Sequence, residues 1–302
     1  MYALNRKIHN SLPLWIAAGL FSISLMATQG ATAASAKVKA AGQNAVSTAR
    51  KNADKKRESF NSDAVSAVQF VDETIDLLKD GKQDDAVRKL EAASGKLEVA
   101  MSANPELKLI PVATSVTAID LVTTPERVKA DLELVEDLLD DGDVQTARSL
   151  LSRMRSEIVT TTAFIPLDTY PDAIKRAVRE IAAHESKKAE QTLLDARDSL
   201  VEDRVILPLP VVRAQGAIDE AEQVRESDKD EALRDLDYAS SQLKIARRLG
   251  YFYTDTAAYR AFKEDIENLK HALEGTSKTE QLFDRAKNSV NRLLDKFHGT
   301  DK

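Results

Sequence analysis

The 302-residue chain contains no cysteine, so it forms no disulfide, carries no lipid-modified N-terminal cysteine and has no thiol nucleophile. Aromatic residues are only 5% of the total, and 10 glycines and 8 prolines are too few for a collagenous or low-complexity chain. Histidine is nearly as sparse. His9, His184, His271 and His298 lie far apart, and no HExxH pair, glycine-rich phosphate loop or serine elbow accompanies them. The sequence therefore offers no basis for expecting an enzyme or a cofactor. A net charge of −6 argues against a nucleic-acid partner, since no broad cationic field is available for phosphates.

Long apolar runs are also missing, with one short exception. Leu12 to Ala27 is an apolar stretch of 16 residues behind Arg6 and Lys7, and Ala31-Thr32-Ala33 follows with the small residues of a signal-peptidase site. Sixteen residues fall short of the ~20 that span a bilayer, and Pro13 and Gly19 interrupt them. The expectation is a cleaved signal peptide over residues 1–33, an exported product without a stable membrane anchor, and a bacterial periplasmic location. Loss of Arg6 and Lys7 with the leader deepens the net charge from −6 to −8.

What the chain does have is one apolar register written four times. Ala86, Ala147, Ala189 and Ala232 each follow a short polar break. Eight residues before them stand Leu78, Leu139, Ile181 and Val224; four after, Leu90, Leu151, Leu193 and Leu236; eleven after, Leu97, Ile158, Leu200 and Leu243. The spacing is that of helical hairpins repeating every 61, 42 and 43 residues. The later periods fall in the length class of HEAT-like repeats and exceed that of a tetratricopeptide repeat, but the insertion around Val112–Thr124 favours a compact bundle over an open solenoid.

Turn chemistry supports the hairpins. Asp80-Gly81, Asp141-Gly142-Asp143, His184-Glu185-Ser186 and Ser227-Asp228 break the four units, Thr124-Pro125 is a cap followed by a proline at the first helical position, and Ser186 is the expected cap of its helix. The second unit is predicted to pair helices over 125–140 and 144–162. Three proline elements, Leu109-Ile110-Pro111-Val112, Phe164-Ile165-Pro166-Leu167 and Ile206-Leu207-Pro208-Leu209, read as buried crossovers between units.

Residues 34–60 carry almost no large apolar side chain before Phe60 and read as a flexible basic lead-in, with Lys51, Lys55, Lys56 and Arg57 a solvated charge run. Residues 61–250 form the helical repeat domain. In the C-terminal hairpin, 251–302, Phe262, Ile266, Leu269 and Leu273 face Leu282, Ala286, Val290, Leu293 and Phe297; this pair either caps the last repeat or forms a self-association surface. The fold class is all-α: four antiparallel hairpins packed as a compact bundle, plus this fifth pair.

No metal site is expected. His184-Glu185 sits in a turn, His298 in a tail, and Asp140-Asp141-Gly142-Asp143 lacks the closing glutamate of a calcium loop. For a small-molecule or peptide ligand the equivalent places of the proline elements suggest one end of the stack, with Pro166, Tyr170, Pro208 and Arg213 lining the site and Arg213 steering an anion.

Leu78-Lys79-Asp80-Gly81 with Ala86 and Leu90, Ile165-Pro166-Leu167, and Val205-Ile206-Leu207-Pro208-Leu209-Pro210 followed by Val212-Arg213-Ala214 resemble the YfdX family of bacterial stress-associated proteins over about residues 60–250. The resemblance implies a helical, exported, non-catalytic protein linked to acid or multidrug stress, with small-molecule binding and homo-oligomerisation suggested for some members. It implies no catalytic residue. The competing functional expectation is a helical scaffold that binds partner proteins, or itself, through the C-terminal hairpin.

Overall fold

Helices begin and end where the sequence supplies caps and left-handed turns. Helix α1 (Ala36–Glu58) is followed by α2 (Ser62–Lys79), which starts under Asn61, whose side-chain oxygen accepts from the amides of Asp63 and Ala64 at 3.0 Å. Gly81, at φ 75°, reverses the chain into α3 (Gln83–Ala103). In the second hairpin Thr124 accepts from the Arg127 amide at 3.2 Å to cap α4 (Pro125–Asp140), and Asp143 accepts from the Thr146 amide to cap α5 (Val144–Arg153). His184, a non-glycine residue at φ 58°, turns α6 (Tyr170–Ala182) into α7 (Ser186–Asp198). The expected Ser186 cap is not made: its hydroxyl is buried without a hydrogen-bond partner. Asp228 caps α9 (Lys229–Arg248) after α8 (Leu209–Val224), and α10 (Ala257–Glu274) and α11 (Glu280–Asp295) follow. The computed structural model describes residues 36–252, 257–275, 279–295 and 297; the signal segment 1–33 lies outside them.

The proline elements are strands rather than irregular crossovers. β1 (Leu109–Ile119), β2 (Glu157–Pro166) and β3 (Val201–Pro208) form an antiparallel sheet in the order β1-β2-β3. Each contains β-branched residues suited to a pleated surface, Val112-Ala113-Thr114 and Ile158-Val159-Thr160-Thr161-Thr162 among them. Pro166 and Pro208 end their strands, and Pro111 sits beside a register shift on edge strand β1, where no ladder donor is required. The helix predicted to reach residue 162 stops at Arg153, and Ile158, although it fits the helical frame, is a strand residue.

Two four-helix bundles flank the sheet, built by one rule: outer helix meets outer, inner meets inner. In the first, α2 packs on α7 and α3 on α6; in the second, α8 packs on α11 and α9 on α10. Leu78, Leu90, Ile181 and Leu193 meet in the first core. Leu236 and Leu243 meet Phe262, Phe283, Val290 and Leu293 in the second, so the C-terminal stripe is covered by the last repeat. The remaining hairpin, α4–α5, rests on α9 through a small cluster of Val128, Val135, Ala147, Met154 and Ile245. All four anchor alanines are fully buried. The architecture is thus mostly helical, as the register predicts, with one small sheet added.

The lead-in is also structured over most of its length. Ala41, Ala45, Ala49 and Ala53 recur every four residues on α1, and such a smooth stripe lets a helix lie close to a neighbour without large apolar side chains. Helix α1 packs on α8 and across β1. The fit is tight at Gly216, where an added Cβ would come within 2.6 Å of the Ala41 Cβ.

Candidate functional site

The structure separates the four residues expected to share a site. β2 pairs antiparallel with β3, so Pro208 stands opposite Glu157 at the start of β2 while Pro166 closes its far end. Ten residues of strand put the two prolines roughly 30 Å apart. Tyr170 lies beyond Pro166 at the first turn of α6, fully buried in the first bundle. Its hydroxyl has no hydrogen-bond partner, and burial, reinforced by the nearby Asp72 charge, pushes its pKa up. It is a core residue.

Arg213 is not free to steer an anion. It is buried on α8, and its Nη2 donates to both carboxylate oxygens of Asp120 at 2.6 Å. Asp120 follows β1 and also accepts from the Ser156 hydroxyl at 3.4 Å. The Ser156 amide donates to the Tyr251 hydroxyl at 2.9 Å, and that hydroxyl donates to Glu157 at 2.8 Å. Burial raises the Tyr251 pKa, opposed by the Ser156 amide. This chain of contacts joins β1, β2, α8 and the segment after α9, and Gly42 of α1 leaves the space for the Arg213 guanidinium. It is a clasp between elements, with every charge answered inside the protein.

A concave site lies next to that clasp. Between α1, the sheet, α8 and α11 is a cleft of about 410 Å³, within the usual range for small-molecule sites. Ala45, Ala49 and Ala53 form its roof; Ile158 and Thr160 of β2 and Val205 and Leu207 of β3 form its floor; Val212 and Leu294 close one side. The alternation of β2 sends Ile158, Thr160 and Thr162 to this face, and the register sets Val205 and Leu207 beside the first two.

The cleft has few polar groups. Lys56 brings a cation to it, and its Nζ donates to the Thr162 hydroxyl at 3.1 Å. Gln215 donates to Asn291 at 2.9 Å, and Asn52, Thr48 and Thr160 add hydrogen-bonding capacity. Thr114, opposite Thr162 across β1 and β2, has a buried hydroxyl without a partner. Such walls suit an apolar body with an acceptor or anionic end near Lys56. Among the described lining residues there is no Asp, Glu or His to form an acid–base pair.

Larger grooves run over the two hairpins of the first bundle, but their rims are exposed ion pairs: Lys89–Glu73 at 2.7 Å and Arg88–Asp85 in one, Lys188–Glu185 at 3.0 Å in the other. Among the described residues no group of His, Asp and Glu is arranged to hold a metal ion, and no helix is long and apolar enough to cross a membrane. The cleft was hidden from sequence reading because its roof contains no large apolar residue. The one local sign was the four-residue alanine spacing of α1.

Residues 67–206, from within α2 to within β3, match the model of the YfdX protein family. A solved structure of YfdX from Salmonella Typhi aligns at 15% identity with a TM-score of 0.34, covering 50% of this chain and 93% of that one. No match is found among curated proteins. Helix α1, much of the cleft's α8 side and the second bundle lie outside the matched span. Residues 67–206, a little under half of the chain, are thus similar to the YfdX family.

Proposed function

We propose that this chain is an exported, non-catalytic binding protein that holds a small, mainly apolar molecule in the cleft under α1, as part of a stress response. The observation that carries this reading is the cleft itself: an apolar floor and an alanine roof enclose a small-molecule volume with one cation at its edge. Export is supported by Arg6, Lys7, the apolar run from Leu12 and the small residues at 31–33. N-terminal sequencing of protein recovered from the periplasm checks that part separately, by locating the first residue of the mature chain.

An anilinonaphthalene sulfonate dye, an apolar body with an anionic end, serves as the probe. Ala49→Leu fills the space beneath α1, and its expected effect is a loss of affinity of about tenfold or more in a fluorescence titration, about 1.4 kcal/mol or more. Leu151→Ser, far from the cleft on α5, should leave that affinity unchanged. Binding that resists Ala49→Leu while circular dichroism shows an intact fold would remove the cleft as the site.

A further inference from the structure

The second hairpin breaks the rule that governs the others. In the first unit Leu78 and Leu90, eight before and four after the anchor, are buried against α6–α7; in the third, Ile181 and Leu193 are buried against α2–α3. Leu236 of the fourth is buried against α10–α11. Their counterparts on α4–α5, Leu139 and Leu151, are 47% and 43% exposed. Val144, seven residues before Leu151 and therefore along the same side of α5, is 52% exposed, and Leu134 on α4 is 49% exposed. One short hairpin thus holds four of the large apolar side chains that the described chain leaves in solvent. Helix α9 meets this hairpin at the cluster of Val128, Val135, Ala147 and Met154, which does not include these four side chains.

We propose that α4–α5 pairs with α4–α5 of a second copy of this chain across a two-fold axis, completing a third four-helix bundle between protomers. The charges select this occupant. Helix α4 carries six acidic residues against two basic ones, whereas α5 carries Arg148 and Arg153 and no acid. Both cations of α4 are already paired along their own helix, Arg127 with Asp131 and Lys129 with Glu133, both at 3.0 Å. Among the described residues Glu136, Asp137 and Asp140 have no ion-pair partner, and neither has Arg148.

Both bundles within the chain place the first helix of one hairpin on the second helix of the other. Repeated between two copies, that arrangement sets acidic α4 on basic α5 twice, as an isologous contact requires. Leu139, Leu151 and Val144 would then be covered in the seam, as Leu90, Leu193 and Leu236 are at the Leu151 place of the other units.

The test is the mass of the full chain measured by sedimentation equilibrium across a concentration series. The expected result is a dimer whose dissociation constant rises at least tenfold in Leu151→Glu, with an unchanged circular dichroism spectrum because the side chain is exposed. Arg148→Glu should weaken the dimer too. Mixing Arg148→Glu with Glu136→Arg/Asp140→Arg should restore association between the two variants beyond that of either alone. A wild-type chain that remains monomeric at 100 µM, or a dimer indifferent to Leu151→Glu, would overturn the proposal; the second result would assign self-association to another surface.

Discussion

Hairpins α2–α3 and α4–α5 start from the same register and end in opposite surroundings. Ala86 and Ala147 are both fully buried, but Leu90 is 0% exposed and Leu151 is 43% exposed. A helical stripe creates a demand for burial; what meets the demand depends on the length of the helices and on where the chain goes next. Helix α3 runs 21 residues and is met by α6, whereas α5 runs only 10, about 15 Å, before the chain leaves to form β2. Its inner contacts are limited to α4 and a few residues of α9. The same apolar pattern therefore builds a core in one hairpin and a surface in the other.

The sharpest way to break that comparison is to truncate the same register position in each unit. Leu90→Ala removes a side chain that is fully enclosed by the first bundle and should lower the unfolding free energy by about 2–5 kcal/mol in urea denaturation. Leu151→Ala, measured at protein concentrations low enough to keep the chain monomeric, should change it by less than about 0.5 kcal/mol. Comparable losses at both positions would mean that α4–α5 has a hidden partner within the chain.

Much of this contrast was out of reach of the sequence, for physical reasons. The turns, caps and anchors were legible because they are local: glycine in a left-handed turn, threonine before proline, and an apolar stripe at helical period all leave marks within a few residues. Strand pairing leaves no such mark. Ile158 fits both a helical frame and a strand, and only pairing with Leu207 and Ala118 decides between them. The antiparallel sheet also undoes the expected binding site, since successive proline elements point in opposite directions and deliver Pro166 and Pro208 to opposite ends. Helix α1 failed to register because its burial depends on smoothness rather than size, and on a glycine 175 residues away in α8.

A second, smaller effect sharpens the contrast at the point where the chain enters the exposed hairpin. Asp120 follows β1 and precedes α4, and Arg213 ties it to the second bundle. Arg213→Ala leaves Asp120 half-buried and short of its cation. The expected loss is about 2–3 kcal/mol, below the full cost of breaking a deeply buried pair because Asp120 is about a third exposed. Native-state hydrogen exchange should show the loss in β1, β2 and α8, with the amides of α2 and α3 keeping their protection. Uniform loss of protection in the first bundle would show that the two halves unfold as one unit rather than being joined by a clasp.

The smallest effect concerns charge at one register place, fourteen residues before the anchor. In the first unit it is Asp72, half-buried on α2; in the second it is Glu133, exposed on α4. Burial pushes the Asp72 pKa above the ordinary carboxylate value, the Arg197 charge opposes this, and Asp76 adds to it. Its Oδ2 has no hydrogen-bond partner. The folded state therefore holds this proton more tightly than the unfolded chain. The side chain costs nothing while it is protonated in both states, below about pH 4, and its penalty develops as pH rises from the unfolded carboxylate value through the raised folded one. Asp72→Asn should accordingly raise stability at pH 7 by less than about 1 kcal/mol, a figure discounted for the solvent that still reaches the group, and should leave it unchanged at pH 3. In thermal melts that is a rise in Tm of a few degrees at most, present only at the higher pH. Glu133→Gln, made at the same register place in the exposed hairpin, should change Tm less than Asp72→Asn does at pH 7, because it removes only an exposed pair with Lys129. A gain from Asp72→Asn that persisted at pH 3 would come from the amide's own contacts, and the electrostatic cost assigned to the first bundle would be wrong.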